Sequence, residues 1–137
     1  MKLKAADVWF SKVVREAADW TCVRCGKVYE RGSQGMHNSH RYRRQHKSVR
    51  FAKENTDALC FPCHQWYGGD TPEAARWLLE RIGQGALDLL EEKKNTIFPM
   101  KKHHWKEASA HYRNQHKILM AKRADGIEGP LDFESWQ

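Results

Sequence analysis

The sequence predicts an α+β domain with a zinc-stapled core and additional flanking α-helices. Three observations predict this fold. Two Cys-x-x-Cys pairs, Cys22/Cys25 and Cys60/Cys63, have the spacing of a four-sulfur zinc site. Turn-forming glycines and short extended pieces lie between the two pairs, whereas amphipathic helical patterns precede and follow them. The length of 137 residues and the apolar content of 40% suit a single modest core.

The elements before and around the cysteine pairs are predicted first. Apolar residues recur along one stripe over residues 7–19, which predicts a helix. Extended pieces are predicted at residues 27–30 and 36–42, after glycines that mark turns. A second helix is expected near the last cysteine pair. These elements would bring the two cysteine turns together around one ion.

The helices of the second half carry clear start and stop signals. Thr71 is a predicted N-cap, Pro72 suits the first helical position, and Gly83 suits a helix terminator. A short helix is predicted over residues 86–94, and a basic helix over about residues 103–122 after Pro99.

One domain is predicted over residues 1–126. It has a core of about residues 20–70 and a helical extension of about residues 71–123. Residues 127–137 are acidic and contain Gly129 and Pro130, and we expect this tail to be loosely attached.

Basic residues are concentrated in two segments. The chain carries 24 Lys and Arg against 17 Asp and Glu, and residues 31–50 contain no carboxylate. This block can be a solvated face, but its density favours a polyanionic partner such as nucleic acid. The predicted phosphate-binding residues are Arg41, Arg43, Arg44, Lys47 and Arg50 in the first segment, and Lys101, Lys102, Lys106, Arg113 and Lys117 in the second.

The expected compartment is the cytoplasm. No run of 18 apolar residues is present, so no membrane partner is expected, and no apolar stretch follows the basic start to form a signal peptide. A reducing compartment favours zinc over the alternatives, which are two disulfides or a redox pair. A four-sulfur site has no open position, so its role would be structural.

Three polar residues between and beside the cysteine pairs suggest catalysis. In chain order they are His40, Asn55 and His64. A histidine can take a proton from water near neutral pH, and a second histidine can bind a divalent ion at a phosphodiester. Asn55 can bind that ion or orient the base. Each residue alone also has an ordinary structural interpretation, such as a surface histidine or a turn asparagine.

These residues lie in motifs that resemble the HNH endonucleases, whose ββα-metal core is often framed by two Cys-x-x-Cys pairs. A closer resemblance is to the NinG (Rap) recombination nucleases of lambdoid phages, over about residues 7–120. It rests on Cys22-x-x-Cys25-Gly26, Ser39-His40-Arg41-Tyr42-Arg43, Ser48-Val49-Arg50-Phe51, Glu54-Asn55, Cys60-x-x-Cys63-His64 and Glu80-Arg81-Ile82-Gly83-Gln84 with Leu87-Asp88.

The resemblance implies a structure-selective DNA endonuclease acting on branched intermediates of phage recombination, such as junctions and strand-invasion loops. It assigns His40 as the general base, Asn55 as the central asparagine and His64 as a metal-binding histidine. It assigns structural Zn²⁺ to the four cysteines and implies catalytic Mg²⁺ or Mn²⁺. The location would be the host-cell cytoplasm.

One position departs from the HNH pattern. The acidic metal ligand that commonly precedes the base is replaced by Ser39. Because alternate strand residues share a face, His37 projects on the same side as Ser39. We therefore expect His37 and His64 to bind the catalytic ion, with Asn55 as a candidate third ligand, and His37 is equally consistent with a surface position. Two histidines would broaden the metal preference toward Mn²⁺, Ni²⁺ or Zn²⁺.

Two alternative functions share these motifs. One is a general phage HNH nicking endonuclease in packaging or defence, and the other is a non-catalytic zinc module that binds DNA. A homodimer would supply two active sites to a symmetric junction, and leucines and tryptophans of residues 72–105 are candidates for its interface. Phage recombination proteins are further candidate partners.

Overall fold

A mixed set of helices and a small sheet make up the protein, as the α+β prediction stated. The structure, a computed structural model, describes residues 2–137. In these residues the elements are α1 (Ala5–Ala17), β1 (Met36–His40), β2 (Thr56–Cys60), α2 (Phe61–Gly68), α3 (Pro72–Ile82), α4 (Gln84–Lys94) and α5 (Lys102–Ala124), with a 3₁₀ turn at Lys53–Asn55 before β2.

The sheet and α2 form one continuous unit. Strands β1 and β2 are antiparallel, with Met36 opposite Cys60 and His40 opposite Thr56. Helix α2 begins directly after β2, and the Phe61 amide donates to the carbonyl of Gly35. The helix packs against both strands. Cys60 therefore ends β2 and Cys63 lies in the first turn of α2, which fixes one cysteine pair at the strand-to-helix junction.

Helix α1 packs closely against α5 and also contacts both strands of the sheet. Phe10 on α1 lies at the centre of the core, with its ring centroid 4.6 Å from that of Tyr112 on α5 and 5.9 Å from that of Phe51. All three side chains are fully buried. Burying three aromatic rings supplies a large part of the apolar area that stabilises this small domain.

The predicted helices are confirmed with small shifts at their ends. The Thr71 hydroxyl accepts a hydrogen bond from the Ala74 amide, and Gly83 has a φ of 84°, as the N-cap and terminator signals predicted. Residues 27–30 form no strand and contribute only the isolated bridge between Thr21 and Val28. Strand β2 was not predicted. No helix in the described part of the chain is long and apolar enough to cross a membrane.

The C-terminal tail is packed on the core, in contrast to the loose attachment that its composition predicted. The Gln137 side chain accepts from the Phe51 amide and donates to the Lys47 carbonyl. The Lys53 amide donates to the Ser135 hydroxyl, and the Trp136 ring packs against Phe51. Aromatic burial and these hydrogen bonds to the backbone hold the tail on the core. Its acidic composition alone had indicated a segment surrounded by solvent.

Candidate active site and cysteine cluster

The four cysteines come together as their spacing predicted. Their sulfur atoms all lie within 4.8 Å of one another, and the Cys25 and Cys60 sulfurs are 3.7 Å apart. None of the four forms a disulfide. Sulfurs about 2.3 Å from a tetrahedral zinc ion are about 3.8 Å apart, so this donor set fits Zn²⁺. The cluster formed by Cys22, Cys25, Cys60 and Cys63 could hold a structural zinc ion.

Local backbone bonds shape the first cysteine turn. The Cys22 amide donates to the Lys27 carbonyl, and the Gly26 amide donates to the Cys22 carbonyl. Gly26 has a φ of 78°, a conformation that other residues adopt only with strain. The Val23 amide donates to Ala58 on β2, which attaches this turn to the sheet.

The thiols have very different proton affinities in the absence of an ion. Burial opposes ionisation of Cys22, but backbone amides of Cys25, Cys60 and Arg24 lower its pKa to about 6. Burial raises the pKa of Cys63 to about 12. The Arg24 guanidinium lies 3.4 Å from the Cys63 sulfur and 3.5 Å from the Trp66 ring centroid. Arg24 is thus an outer partner of the cluster that the sequence interpretation missed, although its place between Cys22 and Cys25 was a visible signal.

His37 and His64 lie side by side at the junction of β1 and α2. Their Nδ1 atoms are 2.9 Å apart, and the His37 Nε2 lies 3.1 Å from the Gln34 carbonyl. An Nε2–H that donates to this carbonyl leaves the His37 Nδ1 with a lone pair. Two nitrogens about 2.1 Å from one ion and at right angles are about 3 Å apart. The pair therefore fits a divalent ion as two adjacent ligands.

His40 has the environment of a neutral base. Its Nε2 is buried without a hydrogen-bond partner among residues 2–137, while its ring bonds to the Arg50 carbonyl through the other nitrogen. Burial and the nearby Arg44 guanidinium lower the pKa of His40 to about 4. The ring is therefore uncharged at neutral pH and Nε2 carries a lone pair, while the lowered pKa makes this nitrogen a weaker base than a free imidazole.

His40 and His64 line the same cleft, which has a volume of about 750 Å³. Ser39, Arg43, Arg44 and Tyr67 contribute to its walls. Arg44 lies close enough to lower the pKa of both histidines, and burial is the larger cause for each. A cationic side chain that lines the cleft together with two neutral imidazoles makes it suitable for an anionic phosphodiester.

Asn38 is a cleft residue that the sequence interpretation missed. Its Oδ1 atom is buried without a hydrogen-bond partner in the described chain, and the residue lines the cleft beside His40. Asn38 and His40 are two residues apart on β1 and therefore share a strand face. That periodicity was the available signal, since two unpartnered acceptors on one face indicate a place for a water molecule or a ligand.

Asn55 is a buried structural residue and not a candidate ligand, which corrects the expectation that its amide binds the ion. Its Oδ1 accepts from the Tyr42 amide, and its Nδ2 donates to the carbonyls of Tyr42 and Val49. The residue is fully buried. The Oδ1 atom, which would have to bind an ion, is thus engaged and buried, so Asn55 positions the loop of residues 41–50 and does not line the cleft.

Two of the predicted phosphate contacts are also corrected. Arg50 is buried and makes a two-pronged ion pair with Asp7, at 2.9 and 2.6 Å. Arg41 lines the cleft, but its side chain is only 5% exposed and bonds to Asp57 and the Glu54 carbonyl, at 2.6 Å from each. Both guanidinium groups are already paired with a carboxylate, which leaves them less available to a phosphate. A charge run in the sequence does not distinguish these arginines from solvated ones.

The remaining predicted cations are accessible. Arg44 is half-buried at the cleft, and the exposed side chains are Arg43, Lys47, Lys101, Lys102, Lys106, Arg113 and Lys117. Those of α5 lie on a helix that packs its other face against α1. A phosphodiester could therefore reach two separate basic surfaces of the molecule.

The fold and site define a small α+β protein in which a β1–β2–α2 unit joins a cysteine cluster that could hold zinc to a histidine-lined cleft. A comparison with family models matches residues 3–122 to the family described as bacteriophage lambda NinG protein. The chain therefore belongs to the NinG family of phage recombination-associated proteins. No curated protein and no solved structure matches the chain.

Proposed function

We propose that this protein is a metal-dependent DNA endonuclease of the HNH type. Its proposed substrates are branched recombination intermediates, namely four-way junctions and strand-invasion loops, and its role is in phage recombination. Membership in the NinG family supports the biological setting. The chemistry of the cleft supports the hydrolytic activity.

A single observation carries the proposal. A neutral histidine with a free nitrogen lines the same cleft as a histidine whose Nδ1 is paired with that of a third histidine. A DNA-binding module needs neither feature. A phosphodiesterase needs both, because water must be deprotonated and the charge that develops on the phosphate must be stabilised.

The residues then have distinct roles. His40 Nε2 accepts a proton from the attacking water, and the carbonyl of Arg50 holds the ring in the tautomer that leaves this nitrogen free. Arg44 and Arg43 hold the nonbridging phosphate oxygens. A divalent ion held by His37 and His64 would polarise the scissile phosphate and stabilise the leaving 3′ oxygen. The product would carry a 5′ phosphate, as the HNH resemblance implies.

The test is cleavage of a matched set of labelled DNAs by the wild-type protein with its zinc content verified. The set is a four-way junction, a strand-invasion loop and a linear duplex built from the same sequences, each with Mg²⁺, with Mn²⁺ or with no added divalent ion. We expect metal-dependent cutting that is faster on the two branched DNAs.

Other outcomes of this assay would support one of the two alternative functions. Binding of all DNAs without cutting in either metal would contradict the nuclease proposal and support a zinc-containing binding module. Equal cutting of linear and branched DNA would contradict structure selectivity and support a general nicking endonuclease.

A further inference from the structure

A second concave surface runs between α1 and α5. Its volume is about 640 Å³, and it shares no lining residue with the histidine cleft. Small residues form part of its lining, which allows the two helices to approach closely. These residues are Ala5, Ala6, Ser109 and Ala110.

Two indole rings line this α1–α5 groove. Trp9 and Trp105 are half-buried, and flexible cations lie near them. The Lys12 ammonium is 4.6 Å from the Trp9 ring centroid, and the Lys4 ammonium is 5.7 Å from that of Trp105. A cation that rests over an indole marks a ring face that another group can reach. Stacking of a nucleobase on an aromatic ring is stronger than an exposed cation–π contact, so a base can displace these side chains.

The rim of the groove is basic. Lys4, Lys106, Arg113 and Lys117 are exposed and line it, and none of the described residues that line it is acidic. Aromatic faces combined with several cations and no carboxylate form the pattern that holds a nucleic-acid strand through its bases and its phosphates at once. The positive charge of the groove therefore favours a polyanion, and its aromatic rings favour one with accessible bases.

We propose that the α1–α5 groove binds an unpaired DNA strand of the branched substrate, with bases stacked on Trp9 and Trp105 and phosphates on the basic rim. A duplex keeps its bases stacked on each other and cannot present their faces to an indole, whereas an unpaired strand can. The inference rests on the proposed function, because it assigns the part of a strand-invasion loop or frayed junction that lies away from the cut.

The test measures binding without cleavage. Fluorescence anisotropy follows a labelled oligothymidylate of about 20 nucleotides, and a labelled duplex of equal length, with no added divalent ion. The proteins are wild type, Trp9→Ala, Trp9→Phe and Lys106→Glu. The matched controls are Ile118→Ala and Lys122→Glu, two exposed residues of α5 that do not line the groove. Circular dichroism checks that each variant is folded.

We expect Trp9→Ala to weaken binding of the single strand about tenfold, with much less effect on the duplex. Trp9→Phe should retain most of the affinity, since a smaller aromatic face remains. Lys106→Glu, which changes only an exposed side chain, should also weaken single-strand binding. Both control variants should bind as wild type does.

Unchanged single-strand affinity in Trp9→Ala and Lys106→Glu would overturn the proposal, as would equal losses for single strand and duplex. Because the assay involves no catalysis, its outcome is separate from that of the cleavage assay. A protein that cuts branched DNA but fails this test retains the proposed function and loses only the groove assignment.

Discussion

Asn55 shows how one buried amide can organise the loop that borders the histidine cleft. It bonds the backbone of Tyr42 and Val49 at the two ends of the segment that carries Arg43 and Arg44. Without these bonds the loop would leave buried polar groups unpaired. The amide thereby fixes the position of cations that lie in the cleft without itself touching a substrate.

Replacing Asn55 by Ala should therefore lower the free energy of unfolding by roughly 2–4 kcal/mol, because three hydrogen bonds are lost and their backbone partners stay buried. Urea denaturation measures this change. Asn114→Ala, on the exposed face of α5, is the matched control and should shift stability by less than about 0.7 kcal/mol. Similar stability of the two variants would contradict the positioning role.

His37 provides the second test at the residue scale. If it binds the catalytic ion together with His64, His37→Ala should raise the Mn²⁺ concentration needed for half-maximal cleavage by about tenfold or more, since even outer partners of a metal site cost 10- to 100-fold. A metal titration of the cleavage rate measures the effect. An unchanged Mn²⁺ requirement would mean that His37 is a surface residue that does not bind the catalytic ion.

The sequence predicted the types of residue in the site better than their roles. The cysteine spacing predicted the cluster, because Cys-x-x-Cys geometry is local. Burial is not local, so Arg41 and Arg50 could not be separated from exposed arginines before their partners Asp57 and Asp7 were known. The expectation that Asn55 binds the ion was wrong for the same reason.

At the scale of elements, the success of prediction depended on local signals. Helix α3 carried its own cap and terminator at Thr71 and Gly83, so its ends were predictable. Strand β2, of sequence Thr56-Asp57-Ala58-Leu59-Cys60, is buried along its whole length and shows no alternation. It exists because β1 and α2 pack against it, which a sequence pattern does not reveal.

Glu16 links α1 to the loop that precedes β1 and to α5 through one buried carboxylate. Trp20 donates to it at 2.7 Å, Arg31 at 2.8 and 3.0 Å, and Arg123 of α5 at 3.3 Å. Burial alone would raise the pKa of Glu16, but the hydrogen bonds from Arg31, Trp20 and Arg123 lower it to about 2. The charged form is thus strongly stabilised in the folded protein.

This lowered pKa predicts a specific acid dependence. The stabilisation is present above the ordinary pKa of 4.5 and is lost as the pH falls from there toward 2. Glu16→Gln should lower the free energy of unfolding at neutral pH by roughly 3 kcal/mol and flatten its dependence on pH in that window. Urea unfolding at several pH values measures both. Glu107→Gln, at an exposed position on α5, is the control, and equal pH dependence of Glu16→Gln and wild type would contradict the assignment.

For the molecule as a whole, the net charge is +7, and its basic side chains fall into two groups: those paired with buried carboxylates and those exposed to solvent. Several arginines of the chain neutralise buried carboxylates, as Arg50 does for Asp7 and Arg123 does for Glu16. The exposed cations that remain lie around the cleft and along α5. This division implies that only the exposed group contributes to counterion release on binding a polyanion.

Removing one of these cations should therefore change the salt dependence of DNA binding. Arg43→Ala should reduce the slope of log affinity against log salt concentration by about 0.9 on duplex DNA, because one phosphate contact is lost. Lys27→Ala, at an exposed position that lines neither the histidine cleft nor the α1–α5 groove, is the control and should leave the slope unchanged. Equal slopes for Arg43→Ala and wild type would place the DNA elsewhere on the protein.

The most direct test of the central claim is junction cleavage by His40→Ala in Mn²⁺, compared with wild type and with His46→Ala, a half-buried histidine of the same loop region that does not line the cleft. We expect His40→Ala to slow cleavage roughly 100-fold or more while junction affinity stays within about twofold of wild type, and His46→Ala to cut at the wild-type rate. Cleavage by His40→Ala at the wild-type rate would contradict the assignment of this cleft as the catalytic site.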